Sequence, residues 1–209
     1  MPSKLKLISY NCQSLNAKSA IIANLLKECD VLCLQETLID KNNSYHLDQF
    51  DNNFSFEYEP AYRNSSSSRG RSSGGLSIFW RGAKDITFKP LFFDKRIMGL
   101  KVTFNGGYSI LILNIYFICD YDNIDSLLEY MSTIATLENI TKTENYNELF
   151  IVGDFNADPN KGRFYNQLKS FYENNMLYAT DILALPPKLF LHKFERSMFF
   201  ELAGSRVVF

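Results

Sequence analysis

The run Tyr108–Phe117 constrains this chain more than any other segment. It is apolar apart from Ser109 and Asn114. A strand with one wet face alternates polar and apolar residues. A nearly unbroken apolar strand must be covered on both faces, which places it at the centre of a layered sheet. The run is far short of the roughly 20 apolar residues needed to cross a bilayer. Asn105-Gly106-Gly107, just before it, is a strong hairpin turn and predicts an antiparallel partner in Met98–Phe104.

Other segments extend this layered pattern. Leu5–Tyr10 alternates and stops at Asn11, which predicts a strand. Ala20, Ile21, Ala23, Asn24, Leu25 and Leu26 follow at helical spacing, with Asn16 as the expected N-cap. Val31–Leu34 is a short buried strand ending at Gln35-Glu36. This strand–helix–strand opening of about 30 residues predicts a parallel pair. A polar stretch and the Ser/Gly/Arg-rich run Asn64–Gly75 read as loop. Gly75–Trp80 and Ile86–Pro90 are further strand candidates. Ile124, Leu127, Leu128, Met131, Ile134 and Ala135 mark a helix starting near Asn123 or Asp125. Leu149–Val152 is another buried strand, and Phe164, Leu168 and Phe171 mark a last helix. With no repeat or clear linker, 209 residues at 46% hydrophobic and 22% charged composition fit one α/β domain with a large core.

The formal charge of -1 hides an asymmetry. Residues 61–101 hold nine basic residues and two acids, a local +7. The remainder is -8. Such a stretch fits a face that grips phosphates, with a solvated polar loop and amphipathic hairpin as the plain alternative. The four cysteines are too few for a disulfide scaffold and lack zinc-ligand spacing. Lys6 and Ser9 interrupt the N-terminal apolar residues, so no secretory signal is read. The expectation is an intracellular protein, nuclear or cytoplasmic, with reduced thiols and no membrane segment.

Several buried strands end in residues competent for metal or phosphate. These are Asn11, Gln35-Glu36, Tyr116, and Asp154 with Asn156. Ligand sites in α/β sheets gather at strand carboxyl ends, where side chains are rigid and face a crevice. Carboxylates and carboxamides suit a hard divalent cation and a phosphate. Each residue also has an ordinary use, as a cap, a surface partner, a turn former or a core aromatic. Their combination and order favour a site.

In that order, Ser9-Tyr10-Asn11, Leu34-Gln35-Glu36-Thr37, Gly74-Gly75-Leu76, Asn114-Ile115-Tyr116 and Gly153-Asp154-Phe155-Asn156 resemble the endonuclease/exonuclease/phosphatase superfamily. Gly-Gly-Leu-Ser-Ile-Phe-Trp and Gly-Asp-Phe-Asn-Ala-Asp look most like the endonuclease domain of non-LTR retrotransposons. The resemblance spans roughly residues 4–187. It implies a DNase I-like four-layer sandwich, with two mixed β-sheets packed face to face and helices outside. It also implies a Mg²⁺-dependent DNA endonuclease. Asn11 and Glu36 would serve the metal, and Tyr116 would lie beside the scissile phosphate. Asp154, a carboxylate of ordinary low pKa, would orient or deprotonate water. Asn156 would hold the phosphate or that water. Arg63, Arg69 and Arg71 are the expected contacts to the DNA backbone.

The family pattern also brings a further Asp and an Asp-His pair, and here this chain departs from it. His46 lies in an early polar loop, and His192 has no adjacent Asp. Asp181 is not in the expected context. Matching stops near Leu185-Pro186-Pro187. The expectation is an incomplete domain over residues 1–187, lacking its last strands, followed by a divergent tail over 188–209. Catalytic groups that act as a unit fail as a unit, so activity would be weak or lost. A non-catalytic remnant binding DNA or protein, and a phosphoesterase of lipid or inositol phosphates, remain the alternatives.

Overall fold

The computed structural model describes residues 5–62, 73–158, 162–179, 198–201 and 207–208. Eleven strands and three α-helices lie within these residues. In chain order they are β1 (Lys6–Asn11), α1 (Ser19–Glu28), β2 (Val31–Gln35), β3 (Phe54–Glu59), β4 (Leu76–Arg81), β5 (Ile86–Asp94), β6 (Ile97–Phe104) and β7 (Ser109–Tyr116). Then follow α2 (Ile124–Thr143), β8 (Glu148–Asp154), α3 (Gly162–Asn174), β9 (Tyr178–Ala179), β10 (Met198–Glu201) and β11 (Val207–Val208). A 3₁₀ helix spans Ser44–Gln49.

The strands form two mixed sheets. One has the order β10-β1-β2-β4-β3 and the other β5-β6-β7-β8-β11-β9. As the opening motif predicts, β1 and β2 are parallel. The Asn105–Gly107 turn joins antiparallel β6 and β7, and β7 runs parallel to β8. Every residue of β7 is buried, which is why its sequence does not alternate.

Alternate residues of the central strands β1, β2, β4, β7 and β8 enter different cores. Leu7, Val31, Cys33 and Ile78 of the first sheet meet Met98, Leu100, Val102, Ile112 and Val152 of the second. On the outer face of the first sheet, Ile8, Leu32, Leu34 and Phe79 pack with Ile22, Leu25 and Leu26 of α1. On the outer face of the second, Leu111, Leu113, Ile115, Leu149 and Ile151 pack with Tyr130, Leu137 and Ile140 of α2 and Phe164, Leu168 and Phe171 of α3. The result is the four-layer α/β sandwich, DNase I-like in architecture.

Three local features differ from the sequence expectation. Asn16 does not cap α1. The helix starts later, at Ser19, and Lys18 in the cap position makes no side-chain hydrogen bond to the helix. The preceding turn is held instead by Ser14, whose hydroxyl accepts from Ala17 N–H at 3.4 Å. Asn123 does cap α2, accepting from Ser126 N–H at 2.8 Å. The polar stretch before Asn64 contains β3, paired along its length with β4. The expected tail, residues 188–209, supplies a strand to each sheet: β10 pairs with β1, and β11 lies between β8 and β9. Among the described residues no helix is long and apolar enough to cross a membrane.

Candidate active site

Four strands deliver the candidate residues to one edge. Asn11 is opposite Gln35 in the β1–β2 register, which puts Glu36 just past the end of β2. Tyr116 is opposite Asp154 in the β7–β8 register. The site therefore has two halves, one from each sheet.

Asn11 joins the halves. Its Nδ2 donates to Glu36 Oε1 and to Asp154 Oδ2, each at 2.8 Å. Its Oδ1 accepts from the backbone N–H of Gln13 at 3.2 Å. A backbone N–H can only donate and a carboxylate can only accept, so the amide orientation is forced. Asn11 thus presents N–H, not oxygen, to the two carboxylates. Charge-assisted bonds of this type are roughly twice as strong as neutral ones.

Backbone conformation aims these groups. Glu36 adopts a positive φ of 52°, which turns the chain sharply at the end of β2. The turn is stitched to the start of β4, because Thr37 N–H and Leu38 N–H donate to the carbonyls of Gly75 and Gly74, each at 3.2 Å. On the other sheet, Gly153 has φ of 136°. A Cβ there would lie 2.1 Å from the carbonyl oxygen of Ile115, so only glycine lets β8 approach β7 this closely. Asn156, at φ of 47°, donates its own N–H to Asp154 Oδ1 at 3.0 Å. Its side chain donates to the Phe117 carbonyl at 2.7 Å.

The electrostatics follow from this crowding. The protein packed around Asp154 raises its carboxyl above the ordinary range, and the bonds from Asn156 and Asn11 only partly offset that. The sequence reading, which gave Asp154 an ordinary low pKa, is corrected by this packing. Burial raises the Tyr116 phenol, with the carboxylates of Glu36 and Asp154 adding to the effect. Tyr116 is therefore a neutral O–H at physiological pH and can donate to an anionic oxygen.

Sequence reasoning assigned no role to Arg96, which the structure places beneath Tyr116. Arg96 is buried. It donates to the Tyr116 carbonyl at 3.2 Å and to Glu129 Oε1 at 2.9 Å. Its guanidinium lies 5.8 Å from the centroid of the Tyr116 ring and 5.4 Å from that of Tyr62. Burial alone would raise Glu129, but Arg96 and Lys95 outweigh it and hold the carboxyl below its usual value. The signal in the sequence was the charged run Asp94-Lys95-Arg96 immediately before the apolar start of β6.

The remaining candidates lie elsewhere. Arg63, Arg69, Arg71, Asp181 and His192 fall outside the described residues. His46 sits in the 3₁₀ helix, where Tyr45 and Gln49 engage its ring. Among the described residues no group of three or more His, Cys, Asp and Glu side chains converges as a metal centre. The oxygen donors here are instead the two carboxylates, since the Asn11 amide presents N–H to them and its own oxygen accepts from Gln13. That set suits Mg²⁺, which needs few protein oxygens and keeps several waters.

Known structures share this architecture at low sequence identity. An AP endonuclease from Leishmania major matches with a TM-score of 0.64 at 14% identity, over 83% of this chain and 66% of that one. An AP endonuclease from Archaeoglobus fulgidus matches with a TM-score of 0.57 at 17% identity, over 81% and 70%. A 3' phosphatase from Neisseria, bound to a product DNA hairpin, matches with a TM-score of 0.54 at 17% identity, over 80% and 71%. This chain thus spans about two thirds of the length of the Leishmania structure it matches. No curated protein matches it in sequence. The profile of the endonuclease/exonuclease/phosphatase family covers residues 8–201, and on that match, over a site built from the strand ends its motifs occupy, the chain belongs to the endonuclease/exonuclease/phosphatase family.

Proposed function

We propose that this chain is a Mg²⁺-dependent phosphodiesterase acting on DNA, an endonuclease by descent from a retrotransposon-encoded protein. The observation that carries this reading is the Asn11 amide holding Glu36 and Asp154 together across two sheets. Two carboxylates fixed this closely at a sheet edge suit a site that takes up a hard cation. Descent from retrotransposons rests on Gly74–Trp80 and Gly153–Asp158. A nuclear or cytoplasmic location belongs to the same reading.

Glu36 would hold the cation, with Asn11 fixing its position relative to Asp154. When bound, Mg²⁺ supplies charge neutralisation at the phosphate oxygens and the leaving oxygen. Asp154 accepts the proton of the attacking water, with its carboxylate held in place by the N–H bonds from Asn156 and Asn11. Tyr116 donates its O–H to a non-bridging phosphate oxygen. Asn156 orients Asp154 through its N–H and keeps one amide proton for the phosphate or the water. Arg63, Arg69 and Arg71 follow Tyr62, whose ring neighbours Arg96 beneath Tyr116. We assign them contacts to the DNA backbone.

Neither histidine of this chain stands in an Asp-His pair. The chain as it stands is therefore expected to nick DNA slowly. Plasmid nicking with Mg²⁺ tests the reading. Slow nicking that disappears in Glu36→Ala supports it, and nicking that persists in the variant refutes the assignment of the site. DNA binding that survives without nicking would favour a binding remnant. Binding through several phosphates must weaken steeply with salt, and DNA affinity absent even at low salt would remove both versions.

A further inference from the structure

The layer between the two sheets is apolar, but near the site two buried amides meet in it. Asn114 lies on β7 and is fully buried. Its Nδ2 donates to the carbonyls of Leu34 and Ser77, each at 3.0 Å. Those residues face each other on β2 and β4 of the opposite sheet. Asn114 Oδ1 accepts from Gln35 Nε2 at 2.6 Å. The Gln35 amide also reaches Ser9 Oγ of β1 at 3.1 Å. One side chain from the second sheet is thereby bound to two strands of the first, and its partner Gln35 ties in a third. The orientation of Asn114 is forced, since two carbonyls require its NH₂ and leave its oxygen to Gln35.

The pair sits where it can govern the site. Gln35 immediately precedes Glu36. Asn114 is two residues before Tyr116, and its register partner Val152 is two residues before Asp154. Apolar contacts press sheets together without fixing their relative slide, because the hydrophobic effect is non-directional. Hydrogen bonds in a low-dielectric layer are directional, and breaking them strands buried polar groups.

We propose that Gln35 and Asn114 form a positioning clamp that sets the separation of the two half-sites and so tunes their affinity for a divalent cation. The cation part rests on the reading of Glu36 given above. The geometric part does not. Both are tested in the full chain with Asn114→Leu, and with the milder Gln35→Met should the first fail to fold. Two readouts are taken on cooperatively melting protein. One is protection of the Asn11 side-chain amide protons from exchange, followed by NMR. The other is Mn²⁺ affinity by calorimetry.

The clamp predicts that the Asn11 amide protons lose protection, because Glu36 and Asp154 no longer converge on them. It also predicts that Mn²⁺ affinity falls roughly 10- to 100-fold, as for other residues that orient metal ligands. A purely structural amide would lower the melting temperature and leave the Asn11 protons of the folded protein unchanged. That result in either folded variant overturns the proposal. Loss of Asn11 protection in a protein that binds no Mn²⁺ even as wild type would defeat the cation reading and leave the geometric clamp standing.

Discussion

The two ends of β7 use glycine for different reasons. At its start, Gly106 and Gly107 turn the hairpin from β6 with positive φ, and a Cβ on either would meet nothing within 4 Å. At its other end, Gly153 on the neighbouring strand also has positive φ, but a Cβ there would meet the backbone of Ile115. The hairpin needs a conformation, whereas the site end needs a conformation and a close approach. The site end also holds Glu36 and Asn156 at positive φ, where side chains other than glycine are uncommon. Conformational cost is thus part of the site where Asn11, Glu36, Asp154 and Asn156 meet, as it is also at Asp85, Asp122 and Met176 elsewhere, and at the site the surrounding hydrogen bonds offset it.

This contrast can be broken by substitution. Gly153→Ala should destabilise the chain most, by about 4 kcal/mol, since the obstacle is backbone that cannot rotate away. Denaturant unfolding would measure it, and a loss under half that size would mean β7 and β8 can part without harm. Asn11→Leu comes next. It removes two bonds to carboxylates and leaves like charges facing each other, so a loss of about 2 kcal/mol near neutral pH is expected. The loss should shrink in acid as Asp154 is protonated, and a pH-independent loss would point to packing instead. Gly107→Ala should cost only about 1 kcal/mol, the strain of a positive φ without a clash. If Gly107→Ala matched Gly153→Ala, the distinction between the two ends would collapse.

The sequence made the layers legible because burial leaves a plain trace. The unbroken apolar run of β7 follows from cover on both faces, and the motif order pointed to Asn11, Glu36, Tyr116, Asp154 and Asn156. The structure places Asn11, Glu36 and Asp154 in direct contact, with Tyr116 in the same electrostatic neighbourhood. What escaped the sequence depends on contacts between distant segments. Asn11 and Asp154 are 143 positions apart, and no local pattern shows that one amide serves two carboxylates. Arg96 was counted only as a charge, although it is buried and paired. Asn114 stood in the Asn114-Ile115-Tyr116 motif with no role of its own, yet it bonds three groups of the opposite sheet. β3 is the exception, because its signal is local: Phe54, Phe56 and Tyr58 alternate with Ser55, Glu57 and Glu59 as a strand with one wet face does, and the stretch was read as loop for its polarity.

The smallest effect probes why the site end is costly. Burial raises the Asp154 carboxyl in the folded chain, so the folded state holds this proton more tightly than the unfolded state does. Folding stability therefore falls as pH rises from the ordinary aspartate range through the raised folded value, and the penalty is complete above that value. Asp154→Asn removes the ionisation but offers one acceptor oxygen where Asp154 has two, so either the Asn11 or the Asn156 N–H loses its partner. Net of that fixed loss, the variant should gain an advantage over wild type as pH rises to neutral. The advantage should vanish in acid below the ordinary aspartate pKa of about 3.9, where Asp154 is protonated in both states. Melting temperatures of the two proteins across that range decide it. An advantage that persists undiminished in acid would show that the amide itself improves packing. No gain as pH rises to neutral would show that the bonds from Asn11 and Asn156 fully compensate the carboxylate, and the site end would then be costly in backbone conformation alone.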